Sequence, residues 1–222
     1  MKRNAILMMA SLIFLLAGGV RTVTAQTAEE TQKYEIGAHF SSLSLEEGFE
    51  GRTLPGVGGR FTYNLTESFA LEAEGNFFPK QTGFGNFRTG GRGLQGLFGA
   101  KFGKRYKRFG VFAKARPGFI SFSEGIFEFL PTTPTADPSV QLTVRTERLT
   151  HFAADIGGVI EFYPSRRIFS RIDAGDTIIR YGQTRVNTLS VGANNQFLIT
   201  PITVPGSTTH NFQFSAGVGF RF

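Results

Sequence analysis

From Asn211 to Phe222 the chain alternates between apolar and polar side chains without a break, and this limits what it can fold into. One side of the run holds Phe212, Phe214, Ala216, Val218, Phe220 and Phe222, and the other holds Asn211, Gln213, Ser215, Gly217, Gly219 and Arg221. Because successive side chains of a β-strand point to opposite faces, a period of two predicts a strand. The chain therefore ends on a strand with one apolar face.

The first 25 residues have the pattern of a secretory signal peptide. Lys2 and Arg3 give a basic start, residues 5–17 are apolar, and small residues precede Gln26. The apolar run is shorter than the roughly 20 residues of a membrane-spanning helix. We therefore expect residues 1–25 to be cleaved and residues 26–222 to form a single domain.

Eight alternating segments can be drawn along the chain, and the connections between them alternate in length. The segments are 33–43, 56–65, 68–78, 93–103, 108–122, 148–163, 168–181 and 209–222. Short connections lie at 66–67, 104–107 and 164–167, and longer ones at 44–55, 79–92, 123–147 and 182–208. Only helices and closed barrels satisfy every backbone group in lipid. The pattern predicts an all-β fold, an eight-stranded antiparallel up-and-down transmembrane β-barrel with three short periplasmic turns and four longer extracellular loops.

Within these segments the charged and apolar residues fall on opposite faces. The apolar face carries aromatic residues near strand ends, such as Tyr34, Tyr63 and Phe102. The other face carries six acids and six bases: Glu35, Arg60, Glu72, Glu74, Lys101, Lys114, Arg116, Asp155, Glu161, Arg171, Asp173 and Arg221. A soluble barrel of lipocalin type would turn the apolar face inward. The glycine content of the charged face and the terminal aromatics of the apolar face favour the inverse, with the charges in the lumen.

These inward charges predict a lumen filled by ion pairs, because a buried charge without a partner is costly. The alternative is a narrow path for ions or small solutes. The net charge is +7, yet the basic residues form no stripe of the kind that binds nucleic acid. They lie in short turns or alternate with acids, so anionic lipid headgroups are the expected neighbours.

The chain resembles the OmpA/OmpX-type outer-membrane β-barrel superfamily. The resemblance rests on the runs 112–119 and 155–163, on Arg171-Ile172-Asp173-Ala174-Gly175, and on the terminal Phe220-Arg221-Phe222. It implies a location in the bacterial outer membrane, and a role for Phe220 and Phe222 in the signal that the barrel assembly machinery reads. Members of the superfamily range from structural barrels to adhesins and a few enzymes, so the resemblance implies no particular activity.

Catalytic, cofactor and metal sites are not expected. His39-Phe40-Ser41 matches a pattern of the lipid A deacylases, but alternation turns His39 and Ser41 into the lumen, away from lipid. His151 and His210 are expected at the surface near strand ends. A lipid A-modifying enzyme remains the second alternative to a structural or interaction role.

The expected partners are outer-membrane lipid, the assembly machinery and an extracellular ligand at the long loops, and we expect a monomer. In one of these loops Val140, Leu142 and Val144 alternate, which predicts a strand that continues beyond the membrane.

Overall fold

The computed structural model describes residues 32–46, 52–80, 91–131, 142–191 and 197–222. The predicted signal peptide, residues 1–25, lies outside the described residues. Ten strands are present in this part of the chain: β1 Tyr34–Leu45, β2 Arg52–Asn64, β3 Phe69–Phe78, β4 Gly93–Arg105, β5 Phe109–Pro131, β6 Leu142–Phe162, β7 Ile168–Tyr181, β8 Thr184–Val191, β9 Phe197–Val204 and β10 Ser207–Arg221.

Eight of these strands form one closed antiparallel barrel in the order β1-β10-β7-β6-β5-β4-β3-β2. Strands β8 and β9 form a separate two-stranded sheet. The predicted eight-stranded up-and-down barrel is confirmed, and all eight predicted segments overlap its strands. Among the described residues no helix has the length and apolarity needed to cross a membrane.

The barrel closes by pairing its first and last strands. The backbone N–H of Tyr34 donates to the carbonyl of Phe222, and the N–H of Phe222 donates to the carbonyl of Tyr34, both at 2.9 Å. The pairing continues up to Ser44 opposite Phe212. Phe220 and Phe222 lie on the outer face, 43% and 57% exposed. Their recognition by the assembly machinery stays a prediction.

The two faces of the barrel wall are arranged as the alternation predicts. Large apolar side chains are exposed on the outside, among them Phe40, Phe98, Ile156 and Val218 at 52–63%. The charged residues between them are buried in the lumen. A monomeric soluble protein rarely exposes so extensive an apolar surface. The exterior is therefore suited to lipid, and the barrel is inverted relative to a soluble one.

Three short turns join strands at one end, which we call the short-turn rim: residues 65–68, 106–108 and 163–167. Hydroxyl groups stabilise two of them, as Ser and Thr do in turns. Thr66 Oγ1 accepts from the backbone N–H groups of Ser68 (3.2 Å) and Phe69 (3.0 Å). Ser165 Oγ accepts from those of Arg167 (3.3 Å) and Ile168 (3.0 Å).

The opposite end, the loop rim, agrees with the prediction in one place and differs from it in another. Strands β5 and β6 continue their pairing past a register shift between Phe122 and Ile126, up to Pro131 opposite Leu142. This confirms the predicted strand beyond the membrane for its described residues. The predicted long connection between β7 and the last barrel strand is present, but it contains the β8–β9 hairpin, with Thr184 opposite Val204, which was not predicted.

Candidate functional site

All twelve charged residues predicted for the lumen lie inside the barrel, and each is at most 8% exposed. Every one of the eight barrel strands contributes at least one of them, because each strand turns alternate positions inward. The structure therefore brings together residues that are far apart in sequence. Three layers of polar contacts can be followed from the short-turn rim towards the loop rim.

The layer at the short-turn rim is built around Glu35 and Glu161. Lys101 forms an ion pair with Glu161 and lies 3.5 Å from Glu35. Arg105 Nη2 donates to Glu35 Oε1 at 3.0 Å, and Arg221 Nε lies 3.3 Å from the same oxygen. The prediction missed Arg105 because it assigned residue 105 to the turn, whereas β4 continues to Arg105.

Tyr163 closes this layer immediately after the last residue of β6. Its hydroxyl donates to Glu161 Oε2 at 2.7 Å and accepts from Arg105 Nε at 3.0 Å. The Arg221 guanidinium lies 4.6 Å from the centre of its ring. Burial and the Glu161 carboxylate raise the pKa of the Tyr163 phenol above its ordinary value, so the phenol keeps its proton and remains a donor.

The central layer joins β3 to β7. Arg171 forms an ion pair with Glu72 through Nη1, and its Nη2 donates to the other Glu72 oxygen at 3.0 Å. The same guanidinium donates to both oxygens of Asp173, at 2.8 and 3.0 Å. Arg60 reaches Asp173 at 2.9 Å and Lys114 lies 3.5 Å from it. One carboxylate is thus shared by three cations.

Arg116 links the central layer to β6. Its guanidinium donates to Glu74 at 2.6 Å and to Asp155 at 2.5 and 3.0 Å. Lys114 lies 2.9 Å from Asp155, and Arg60 Nε donates to Glu74 at 2.7 Å. Since charge-assisted hydrogen bonds of this kind are the strong ones, the central layer is held by cations that each bridge two carboxylates.

An uncharged layer of amides and hydroxyls follows. Asn76 Nδ2 donates to Gln95 at 2.8 Å, Gln95 Nε2 donates to Gln213 at 3.0 Å, and Thr177 donates to the same Gln213 oxygen at 2.7 Å. The Asn76 carbonyl accepts from His39 Nε2 at 2.7 Å. Because Asn76 Oδ1 can only accept, His39 carries a proton on Nε2.

The inward glycine Gly58 shows how tightly this layer is packed. A Cβ atom at Gly58 would collide with Asn76 Oδ1 and with His39 Nε2. The missing side chain therefore leaves the space in which the hydrogen bond between Asn76 and His39 forms. This agrees with the expectation that the inward glycines belong to a crowded lumen.

The lumen ends at the loop rim in an apolar cluster that the sequence reading missed. We call it the apolar plug, and it consists of Leu43, Leu45, Leu54, Phe78, Ile120, Phe122, Ala153 and Ile179. Five of its members, Leu43, Phe78, Ile120, Ala153 and Ile179, have no exposed surface. They occupy the same alternate positions as the charges below them, but near the loop rim the residue type changes from charged to apolar.

His151 was predicted at the surface, and this was wrong. It shares the inward alternation of Ala153 and Asp155, is only 9% exposed, and its ring lies 4.6 Å from that of Tyr181. His210 is exposed as expected and lies 2.6 Å from Asp176. Within the described ranges no group of three or more His, Cys, Asp or Glu side chains could hold a metal ion.

One cavity beside the charged side chains of the lumen is very small. This cavity, beside Arg60 and Arg171, has a volume of about 10 Å³, which is at the lower limit for one water molecule. A larger cavity of about 620 Å³ opens on the outer wall, where Gly59, Gly75 and Gly96 face lipid. The larger volume therefore belongs to the lipid-facing surface rather than to a channel.

No protein-family model and no curated protein matches the sequence. Among solved structures, Neisserial surface protein A matches with a TM-score of 0.51 and 9% identity, covering 85% of this chain and 97% of that one. The amino-terminal barrel domain of Pseudomonas aeruginosa OprF gives 0.45 and 14%, covering 86% and 98%. Escherichia coli outer membrane protein W gives 0.39 and 16%, covering 87% and 100%.

At these identities the likeness concerns the fold alone. The match to Neisserial surface protein A confirms the predicted resemblance at that level: the chain has the architecture of the small eight-stranded outer-membrane barrels. The closed barrel and its lipid-suited exterior agree with the predicted outer-membrane location. This chain is thus an integral membrane β-barrel of the outer-membrane type.

Proposed function

We propose that this protein is a non-conducting barrel with a structural or interaction role in the outer membrane. The observation that carries the proposal is the filling of the lumen at every level, by ion pairs, by the amide layer and by the apolar plug. A filled barrel transports no solute through its centre. Its function must therefore depend on its outer surfaces. The strands that extend beyond the loop rim are the surfaces available to an extracellular ligand.

The pore is the weaker alternative because of the apolar plug. Ion and solute paths need polar groups or water along their whole length, and apolar constrictions exclude water. Leu43 and Ile179 have no exposed surface, and Phe78 and Ile120 lie in the same cluster. An ion that passed the charged layers would still meet a dry barrier at the loop rim.

The lipid-modifying enzyme is disfavoured by the surroundings of His39 and Ser41. His39 Nε2 donates to Asn76, and Ser41 Oγ accepts from Gln213 Nε2 at 3.3 Å. Ser41 has no exposed surface, and both side chains lie in the lumen. A lipid acyl ester outside the barrel cannot reach either group, which supports a role without catalysis.

The interaction surface that we propose is formed by two neighbouring hairpins at the loop rim. The first is the extension of β5 and β6, in which residues 126–131 pair with residues 142–147. The second is β8–β9, and β8 lies against β5. Side chains of β9 that are described include Ile202 and Val204, 43% and 45% exposed. Exposed apolar residues on a short strand with a free edge are suited to contact with another protein.

An envelope assay with a hairpin deletion tests the proposal. Cells that lack the protein should become more permeable to a hydrophobic dye, and the full chain should restore the barrier. A variant in which two glycines replace residues 184–204 should still fold, as judged by a gel mobility that changes on heating. If it restores the barrier the role is structural, and if it does not, the role depends on the hairpin.

Mass spectra of lipid A from the same cells distinguish the proposed role from that of a lipid A-modifying enzyme. The proposal predicts identical lipid A with and without expression. Loss or gain of an acyl chain that requires Ser41, tested with Ser41→Ala, would replace the proposal with the enzymatic alternative. Unchanged dye entry in cells that lack the protein would contradict an envelope role.

A further inference from the structure

The short-turn rim carries a one-sided excess of positive charge that the luminal network does not use. Six exposed basic side chains surround this rim: Lys33, Lys104, Lys107, Arg108, Arg166 and Arg167. Glu67 is the one exposed carboxylate side chain among the rim residues that the structure describes. Arg105 and Arg221, which lie close by, are turned inward and paired with Glu35.

Five of these cations form a continuous row along the rim. The turn 106–108 follows β4, and the turn 163–167 follows β6. The two turns lie side by side because the N–H of Tyr163 donates to the carbonyl of Arg108 at 2.9 Å. We call this row the basic arc, and it consists of Lys104, Lys107, Arg108, Arg166 and Arg167. The N–H of Arg221 donates to the carbonyl of Arg167 at 2.7 Å, which joins the arc to the last strand.

The basic arc lies directly beyond a ring of exposed aromatic residues. Arg108 precedes Phe109, which is 42% exposed and stacks on Tyr106 at 4.6 Å between ring centres. Phe162, 49% exposed, ends β6 just before the second turn. Aromatic girdles of transmembrane barrels lie at the membrane–water interface. The arc cations that lie next to these aromatic residues are therefore at the depth of the lipid phosphates.

Four of the five arc cations have no salt bridge to the part of the protein that the structure describes. Within the described part of the chain, no salt bridge joins Lys104, Lys107, Arg108 or Arg167 to a carboxylate. Lys104 Nζ instead lies 5.4 Å from the centre of the Tyr106 ring, with its ammonium at the edge of the apolar surface. At the loop rim, by contrast, Lys80 is paired with Glu124 at 2.6 Å.

We propose that the basic arc binds anionic phospholipid headgroups of the periplasmic leaflet. Short turns of outer-membrane barrels face the periplasm, and the arc would meet phosphatidylglycerol or cardiolipin there. Arginine binds phosphate oxygens in a bidentate manner and lysine binds them as a point charge. Each cation near an anionic lipid surface changes partitioning on the order of fivefold. The arc thus anchors one sector of the barrel to anionic lipid, whatever the loops bind.

Lipid selectivity measured by electron paramagnetic resonance tests this binding. The full barrel is reconstituted in phosphatidylcholine with trace spin-labelled phosphatidylglycerol or phosphatidylcholine, and the motionally restricted fractions are compared. We expect the anionic label to be enriched on the order of fivefold at low salt. The enrichment should fall strongly in 1 M NaCl, where the screening length is about 3 Å. Replacing all five arc cations with Gln should remove it.

A matched pair of variants separates the arc from a general effect of net charge. Lys107→Gln/Arg108→Gln should lower the enrichment at least twofold, whereas Arg148→Gln/Arg185→Gln, two exposed cations beyond the loop rim, should leave it unchanged. Heat-dependent gel mobility confirms that each variant is folded. Equal effects of the two pairs, or no enrichment in the unchanged barrel, would overturn the proposal. It would also be overturned if the arc variants lost binding to isolated peptidoglycan while their lipid selectivity stayed the same.

Discussion

At the scale of single residues, Arg116 illustrates how the lumen is held together. It is 1% exposed, and its guanidinium donates to Glu74 on β3 and to Asp155 on β6. Two strands that are not neighbours in the wall are thereby joined through the lumen. Each of these carboxylates also has a second cation, Arg60 or Lys114.

Arg116→Ala should destabilise the folded barrel by roughly 3–5 kcal/mol, because it leaves buried carboxylates with too few partners. Urea unfolding in lipid vesicles, followed by gel mobility, measures this free energy. Arg148→Ala removes an exposed cation of the same type and should change the free energy of unfolding by no more than about 0.5 kcal/mol. Equal effects of the two substitutions would mean that the lumen is hydrated rather than filled.

The residue scale also shows what alternation can and cannot predict. It placed twelve charges on the inner face, because a period of two needs no knowledge of neighbouring strands. It missed Arg105, since alternation does not show whether a residue at this boundary is the last of a strand or the first of a turn. It could not predict that Arg171 contacts both Glu72 and Asp173, because pairing across the lumen depends on barrel closure and register.

At the scale of the strands, β6 shows both the strength and the weakness of the pattern. Phe152, Ile156 and Phe162 lie on the face that alternation turns towards lipid, and they are 49–56% exposed. Its inner positions change from Asp155 to Ala153 towards the loop rim, where the apolar plug begins. Near that rim both faces of the strand carry apolar residues, so the sequence alone does not distinguish an inner plug from an outer surface.

The β8–β9 hairpin was missed for a related reason. Its strands are short, and β9 contains Pro201, which cannot donate a backbone hydrogen bond and is typical of strand edges. A proline in an uncharged segment predicts a loop more readily than a strand. The pairing of Asn187 with Pro201 lies within a two-stranded sheet outside the barrel.

Arginine substitutions at two depths test the assignment of the outer face. Ile156→Arg, between Phe152 and Phe162, should cost roughly 2–4 kcal/mol in membrane stability, whereas a position near the interface costs about 0–1 kcal/mol. Ile168→Arg is the matched interfacial change, because Ile168 is 51% exposed, against 52% for Ile156, and follows Arg167. The fraction of folded protein in vesicles measures both. Equal tolerance would show that β6 is wrongly oriented.

At the scale of the whole molecule, the barrel is filled along its axis by layers of different chemistry. Ion pairs occupy the short-turn rim and the centre, amides and hydroxyls follow, and the apolar plug closes the loop rim. Each layer draws on several strands, so the wall and its contents support each other. The exterior is lipid-facing between two rims, of which one carries hairpins and the other the basic arc.

The most direct test of the filled lumen is to measure the conductance of the purified barrel in planar bilayers. The full chain should give no large, stable channels at ordinary salt, because an eight-stranded barrel leaves little more than the room that its side chains fill. A plug variant, Leu43→Ser/Ile120→Ser/Ile179→Ser, should give more frequent and longer openings if it folds. Steady porin-like currents from the unchanged protein would contradict the filled lumen and establish the pore in its place.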